Sequence, residues 1–174
     1  MKNDEDLPNN VDWIEVAGKE KLATKNYVPG NSVYGEHLQK SSTHEFRIWD
    51  PYRSKLAACI INGMKNIPFT SGSTILYLGS STGTTPSHVS DIVGKDGLLF
   101  CVEISSRVAR DFIDNVVSFR NNIIPIIADA HNIDSYTSIF RNIDSVYCDI
   151  SQPDQTDIAI SNCKEFLSSG SKLL

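Results

Sequence analysis

The sequence predicts an α/β fold with a doubly wound, mostly parallel sheet and a small N-terminal β subdomain. From Thr74 onward, short apolar segments alternate with helical segments of roughly 10–15 residues, as in βαβ units. The apolar segments contain few polar residues, which is typical of strands covered on both faces. A Gly/Ser/Thr loop follows the first of these segments, at the position where such sheets bind ligands.

Length and composition exclude several classes of protein. The 174 residues fit one domain, and the four cysteines form no CxxC pair, so we expect free thiols in a reducing compartment. No apolar run reaches the roughly 18 residues that span a bilayer, and the acidic start MKNDEDLPNN is unlike a secretory signal, so no membrane association is expected. A net charge of −5 argues against tight RNA binding by the whole surface, although the segment from Lys40 to Lys65 is locally basic.

The chain is predicted to divide into three parts. Residues 1–30 are predicted to form a variable N-terminal arm, residues 31–50 a small β subdomain, and residues 51–174 the main domain. Within the subdomain, short β-like segments lie at 32–34 and 45–49. Asp50 and Pro51 then predict a helix start, with aspartate as the N-cap and proline as the first helical residue.

The elements of the main domain follow from the spacing of apolar residues. Strands are predicted over 74–78, 98–102, 123–127 and 143–148, and a further strand begins at 172. Helices are predicted over 88–93, 105–119, 136–140 and 155–167. His88 lies on the first of these helices, where a structural role is the simpler interpretation.

The loop from Gly79 to Thr84 is the first candidate binding element. Its glycines allow the backbone to approach a ligand closely, and the helix that follows offers free N–H groups. The loop lacks GxGxxG, and no lysine follows to make a P-loop. An ordinary strand-to-helix turn would explain this loop equally well if it stood alone.

Acidic residues end three successive predicted strands. Glu103 is placed to accept hydrogen bonds from ribose hydroxyls, and Asp129 is placed to accept one from an adenine amino group. Asp149 ends the fourth strand. Each acid alone could be a helix N-cap, but parallel strands bring all three to one crevice. The acid on the third strand favours S-adenosylmethionine (SAM) over a nicotinamide cofactor.

Three ordered motifs give the chain a specific resemblance from about Asn31 to its end. RIWDPYRSKLAA at 47–58, YLGSSTGTT with SHVSDIVG between 77 and 94, and DISQPDQ at 149–155 resemble fibrillarin, a family of SAM-dependent RNA 2′-O-methyltransferases. The resemblance implies a Rossmann-like SAM-dependent methyltransferase sheet. The Gln-Pro-Asp-Gln form indicates a eukaryotic source, and hence a location in the nucleus and nucleolus.

The resemblance also implies residue roles. Lys55 and Asp149 match the first lysine and the aspartate of the family's Lys-Asp-Lys-His catalytic set, although Lys55 alone would pass for a solvated helix residue. The second lysine and the histidine have no counterpart, so the methyltransferase domain is expected to be incomplete at its C-terminal end. No metal is expected. The implied SAM-binding residues are Gly79, Thr84, Thr85, Glu103, Ile104, Asp129, Ala130, Asp149, Ile150, Ser151 and Gln152.

Two functions remain open at this point. The first is methyl transfer from SAM to ribose 2′-hydroxyls of rRNA, with a box C/D guide RNA and a Nop-type scaffold protein as partners, in rRNA processing and ribosome biogenesis. The second is a catalytically inactive SAM-binding or scaffold subunit of a ribonucleoprotein. An NAD-binding domain is a weaker third interpretation because the loop lacks GxGxxG.

Overall fold

The computed structural model describes residues 7–140 and 142–174, which form two sheets. The smaller sheet is antiparallel and lies at the N-terminal end of the chain, with strand order β1-β2-β4-β3. Its strands are β1 (Val11–Val16), β2 (Lys19–Lys25), β3 (Leu38–Lys40) and β4 (Glu45–Ile48).

The small sheet begins earlier in the chain than the predicted subdomain boundaries of 31–50. Strands β1 and β2 form a hairpin, and β2 then pairs with β4. Ala17 and Gly18 make the turn with φ of 50° and 75°, as a two-residue hairpin turn requires. The segment predicted to be a variable arm over 1–30 therefore contributes two strands to this sheet.

The strand predicted at 32–34 is wrong. The Glu36 carboxylate accepts hydrogen bonds from the backbone N–H groups of Val33 and Tyr34, at 3.0 Å and 2.8 Å. Those N–H groups are therefore committed to a local turn and cannot join a strand ladder. The third strand of the sheet forms four residues later instead, at β3.

The larger sheet is parallel and confirms the predicted fold class. Its strand order is β7-β6-β5-β8-β9, and every adjacent pair is parallel. The order reverses beside β5, so the carboxyl ends of the strands open a crevice there. The strands are β5 (Thr74–Leu78), β6 (Leu98–Glu103), β7 (Ile123–Ile127), β8 (Ile143–Cys148) and β9 (Leu167–Leu173).

The described residues contain four α-helices, two of which begin away from the predicted residues. They are α1 (Lys55–Ile61), α2 (Thr84–Val93), α3 (Ser106–Asn115) and α4 (Gln155–Phe166). The predicted cap Asp50 instead accepts from the Tyr52 N–H in a separate turn, and the Ser54 hydroxyl caps α1. The segment predicted as a helix over 136–140 forms short 3₁₀ turns. Among the described residues, no helix combines the length and apolar character needed to cross a membrane.

The core lies on both faces of the parallel sheet. On β5, Ile75 and Tyr77 pack with the small sheet and helices α1, α2 and α3. The alternate residues Leu76 and Leu78 pack on the opposite face with α4. Successive side chains of a strand point to opposite faces, and β5 is apolar from Ile75 to Leu78 because both of its faces are covered there.

A buried charge network centred on Asp91 of α2 joins the small sheet to the main domain. Asp91 Oδ2 lies 2.8 Å from Arg47 Nη1, and Asp91 Oδ1 lies 2.7 Å from Arg120 Nη1. Arg47 Nε also contacts Glu36 at 2.6 Å. These four side chains are at most 1 % exposed, and two cations balance two anions. Arg47, which the sequence placed in the locally basic segment, is therefore not a surface charge.

His88 belongs to the same buried region. Its Nδ1 lies 2.7 Å from the Thr24 hydroxyl, its Nε2 lies 2.8 Å from the Tyr34 hydroxyl, and its ring stacks on Trp49. Burial, together with the nearby arginines of the network, lowers the pKa of His88 well below its ordinary value. The imidazole is therefore neutral, and its place in the core agrees with the structural role expected for it.

Candidate functional site

The carboxyl ends of the central strands open onto a cavity of about 240 Å³, here called the strand-end cavity. It lies where the strand order reverses, which is the usual ligand position in an open α/β sheet. All three strand-end acids predicted to converge reach it. Its lining residues are Gly79, Ser81, Val102, Glu103, Ile104, Ala128, Asp129, Ala130, His131, Asp149, Ile150, Ser151, Gln152 and Ile158.

Gly79 allows two loops of the cavity wall to touch. It has a φ of 84°, and a Cβ added there would lie 2.5 Å from the Asp149 carbonyl oxygen. The Asp149 N–H also donates to the Leu78 carbonyl at 2.9 Å. A larger residue at 79 would push these loops apart, so this position requires glycine both for its backbone angle and for the space available.

The Glu103 carboxylate is held at the cavity wall by two backbone N–H groups. Oε2 accepts from the Ser81 N–H and Oε1 accepts from the Ser105 N–H, each at 2.9 Å. Each carboxylate oxygen can accept more than one hydrogen bond, so both oxygens retain capacity for ligand hydroxyls. This glutamate therefore has the fixed orientation that recognition of a diol needs.

Asp129 is oriented by His131, which the sequence interpretation missed. Asp129 Oδ1 accepts from the His131 backbone N–H and lies beside His131 Nδ1, both at 2.9 Å. These hydrogen bonds, the backbone one foremost, lower the pKa of Asp129, so it is ionised at neutral pH. The carboxylate can act as an acceptor towards a ligand amino group.

A second cavity, of about 530 Å³, adjoins the first and contains Lys55; we call it the lysine cavity. The two cavities share Gly79, Ser81, Asp149 and Ser151 as wall residues. Lys55 Nζ forms an ion pair with Asp149 Oδ1. The Lys55 side chain is 72 % exposed and that of Asp149 is 20 % exposed, so the amine is accessible from the lysine cavity.

The tyrosine near this junction stays neutral. Tyr77 lines the lysine cavity, and burial raises its pKa well above the ordinary value, so its hydroxyl keeps its proton. Among the described residues, no cluster of His, Cys, Asp and Glu side chains has the arrangement of a metal site. Lys55 is thus the side chain best placed to exchange a proton with a group in the lysine cavity.

Comparison with known protein families identifies the family of this chain. The family model described as Fibrillarin matches residues 3–174. The chain belongs to the Fibrillarin family. It is 50 % identical over 164 residues to a protein of Thermococcus onnurineus named fibrillarin-like rRNA/tRNA 2′-O-methyltransferase, covering 94 % of this chain and 72 % of that protein.

Solved fibrillarin structures share the fold. The crystal structure of Aeropyrum pernix fibrillarin with natively bound SAM superposes with a TM-score of 0.93 at 41 % identity, covering 97 % of this chain and 74 % of that one. A fibrillarin/Nop5p complex superposes with a TM-score of 0.82 at 34 % identity, covering 97 % and 75 %. The resemblance stated from the motifs is therefore confirmed.

The expectation of a eukaryotic source is wrong, because these fibrillarin relatives come from archaea such as Thermococcus and Aeropyrum. That expectation was based on the short segment from Gln152 to Gln155. Gln152 lines the strand-end cavity, so the binding site constrains which residues this segment can contain. The segment is therefore a poor indicator of the source organism.

The structure brings the predicted site residues together in two groups. Thr84 and Thr85 line the lysine cavity, as do Lys55 and Asp149. Every other predicted SAM-binding position lines the strand-end cavity. Their individual roles stay predictions. The residues that were missed include Ser81, inside the candidate loop, and His131, two residues after Asp129; both were close enough to the motifs to be considered.

Proposed function

We propose that this chain binds SAM in the strand-end cavity and transfers its methyl group to a ribose 2′-hydroxyl of rRNA or tRNA. The observation that carries the proposal is the junction of the two cavities. Three acids and Gly79 surround one cavity, and the Lys55–Asp149 pair lies where it opens into the other. The names of the relatives and the SAM-bound fibrillarin of matching fold support the same assignment.

The strand-end cavity fits the parts of SAM. Glu103 would accept hydrogen bonds from the ribose hydroxyls, and Asp129 would accept one from the adenine amino group. Ile104 and Ala130 would provide apolar contacts beside these acids. The segment from Asp149 to Gln152 would hold the methionine end. When bound, SAM supplies a sulfonium methyl group that is activated for attack by a nucleophile.

The lysine cavity provides the environment for that nucleophile. A ribose hydroxyl is a weak nucleophile near neutral pH, so it must be aligned with the methyl group and lose its proton during attack. Lys55, in its neutral form, would accept the proton from the 2′-hydroxyl at Nζ. Asp149, which contacts Lys55 Nζ, would accept a hydrogen bond from the neutral amine and so orient it, and would then form an ion pair with the ammonium that results.

Partners follow from the relatives and from the charge of the chain. A fibrillarin/Nop5p complex has the same fold, which supports a Nop-type scaffold protein as a partner here. A net charge of −5 suits an enzyme whose RNA is held by that scaffold and a box C/D guide RNA. Action in rRNA processing and ribosome biogenesis belongs to the same proposal. A nuclear or nucleolar location stays a prediction that the archaeal relatives do not support.

The test is methyl transfer from labelled SAM to a target RNA, with a box C/D guide RNA and a Nop5-type protein present. We expect Lys55→Ala to lower the rate about 10²- to 10⁴-fold, the usual contribution of a general base. The matched control is Lys95→Ala, because Lys95 is also exposed but lies beyond the far end of α2. An equal loss in both variants would contradict the role of Lys55.

The alternative function has a distinct outcome in the same assay. A catalytically inactive SAM-binding or scaffold subunit would bind SAM saturably and join the complex, yet transfer no methyl group. The accessible Lys55 amine beside Asp149 favours the enzyme. SAM binding without transfer in the complete complex would decide for the scaffold.

A further inference from the structure

His131 connects one wall of the strand-end cavity to the start of helix α4. One wall follows β7 and contains Asp129, and the other is the segment 149–152, which leads to Asp154 at the start of α4. His131 Nδ1 lies 2.9 Å from Asp129 Oδ1, and His131 Nε2 lies 2.7 Å from Asp154 Oδ2. One imidazole ring thus spans between a residue of the cavity wall and the N-cap of a helix.

Both of these contacts require a protonated imidazole. A carboxylate oxygen can only accept, and a neutral imidazole has a single N–H group, so only the imidazolium donates to both aspartates. The hydrogen bonds to Asp154 and then to Asp129 raise the pKa of His131. Among the described residues, the charged groups that face this region are Asp129 on its own loop, Asp154 at the N-cap of α4, and the cavity acids Glu103 and Asp149.

We propose that His131 is a positioning residue that holds the Asp129 carboxylate ready for the adenine end of the cofactor by bridging it to Asp154. This inference rests on the proposed function, because it assumes that SAM occupies the strand-end cavity. Asp129 Oδ1 is taken up by His131, and Oδ2 is left for the ligand amino group. Loss of the imidazole proton turns one ring nitrogen into a lone pair facing a carboxylate, and the bridge opens.

The bridge predicts that cofactor affinity depends on pH. We would measure the Kd for SAM by calorimetry from about pH 5.5 to about pH 8.5, and that for 5′-methylthioadenosine in parallel. The second ligand keeps adenine and ribose but lacks the titrating amine of methionine. Affinity for both ligands should fall about three- to fivefold as pH rises through the folded pKa of His131, the scale of an exposed charged contact.

Three variants separate positioning from a general structural effect. His131→Arg keeps a cation that can reach both aspartates at every pH, so binding should stay tight and independent of pH. His131→Ala should bind weakly and also without pH dependence. Asp154→Asn lies outside the cavity lining and removes one of the two carboxylates, so it should move the midpoint of the profile to lower pH.

The outcomes are distinguishable. If the pH profiles of the wild type and of His131→Ala coincide, His131 does not position the site and the inference is overturned. If the wild type binds neither ligand at any pH, the proposed function fails instead. Thermal unfolding of each variant reports whether the fold is retained, and should His131→Ala unfold, the profile of Asp154→Asn decides.

Discussion

The Asp91 network and the Lys55–Asp149 pair use the same chemistry in opposite surroundings. Asp91 and its two arginine partners have fully buried side chains, whereas Lys55 is 72 % exposed. Burial removes the water that would otherwise solvate a charge whose partner is lost, so breaking the Asp91 network leaves an unpaired charge in the core. At the exposed pair, water replaces the partner at little cost. The buried charges stabilise the fold, whereas the exposed pair contributes little to stability and is accessible to a substrate.

The largest effect should come from the buried network. We expect Asp91→Asn to lower the free energy of unfolding by about 3–5 kcal/mol, because two buried arginines lose their shared carboxylate. The same change at Asp149 should cost less than about 1 kcal/mol, since its partner is mostly exposed. Urea unfolding of the two variants measures the difference. Similar losses would contradict the contrast between the two regions.

A smaller effect should follow from a methyl group at the cavity wall. Gly79→Ala adds a Cβ 2.5 Å from the Asp149 carbonyl oxygen at a φ of 84°. We expect a loss of about 2–4 kcal/mol in stability, from backbone strain plus overpacking, and SAM binding weakened by more than about tenfold. Gly72→Ala is the matched control, because Gly72 has the same φ of 84° and no atom within 4 Å of an added Cβ.

In the control variant, backbone strain alone should lower the free energy of unfolding, by about 1–2 kcal/mol. Its SAM affinity should be unchanged. Urea unfolding and calorimetric titration with SAM measure the two quantities. Equal loss of SAM affinity in both variants would show that the contact between the Gly79 and Asp149 loops does not shape the site.

The smallest effect concerns pH. The folded pKa of His88 lies well below its ordinary value, so the unfolded chain binds a proton that the native core excludes. Its contribution to stability is fully present above the unfolded pKa of about 6.5 and is lost as pH falls below that value, by about 1.4 kcal/mol per pH unit.

His88→Gln should reduce this slope between about pH 6.5 and pH 5, where few carboxylates titrate. The free energy of unfolding, measured by urea at several pH values, checks it. A slope unchanged in the variant would assign the acid sensitivity to other groups. Glu36 contributes to acid sensitivity only at lower pH, because its folded pKa is lowered. Burial alone would raise that pKa, but Arg47 and the backbone N–H groups outweigh burial.

Much of the main domain and its site could be predicted because the signals are local and repeated. Short runs of mainly apolar residues, such as Ile75–Leu78 and Ile123–Ile127, stand between turn residues and recur along the chain. Once the strands are parallel, their carboxyl ends must share one edge, so Glu103, Asp129 and Asp149 had to approach each other. No long-range information was needed for that inference.

The rest was decided by tertiary structure. Nothing local in the sequence indicates that the β1–β2 hairpin pairs with β4, or that Arg47 is buried against Asp91, 44 residues later. His131 likewise meets Asp154 only because the loop after β7 lies beside the start of α4. Within the parallel sheet, the sequence by itself determined the order of the strands along the chain and the acids at their ends, since periodicity and turn residues act over a few positions. Which charges are buried and which stay in water depends on distant segments packing together, because desolvation is a property of the folded surroundings rather than of the residue.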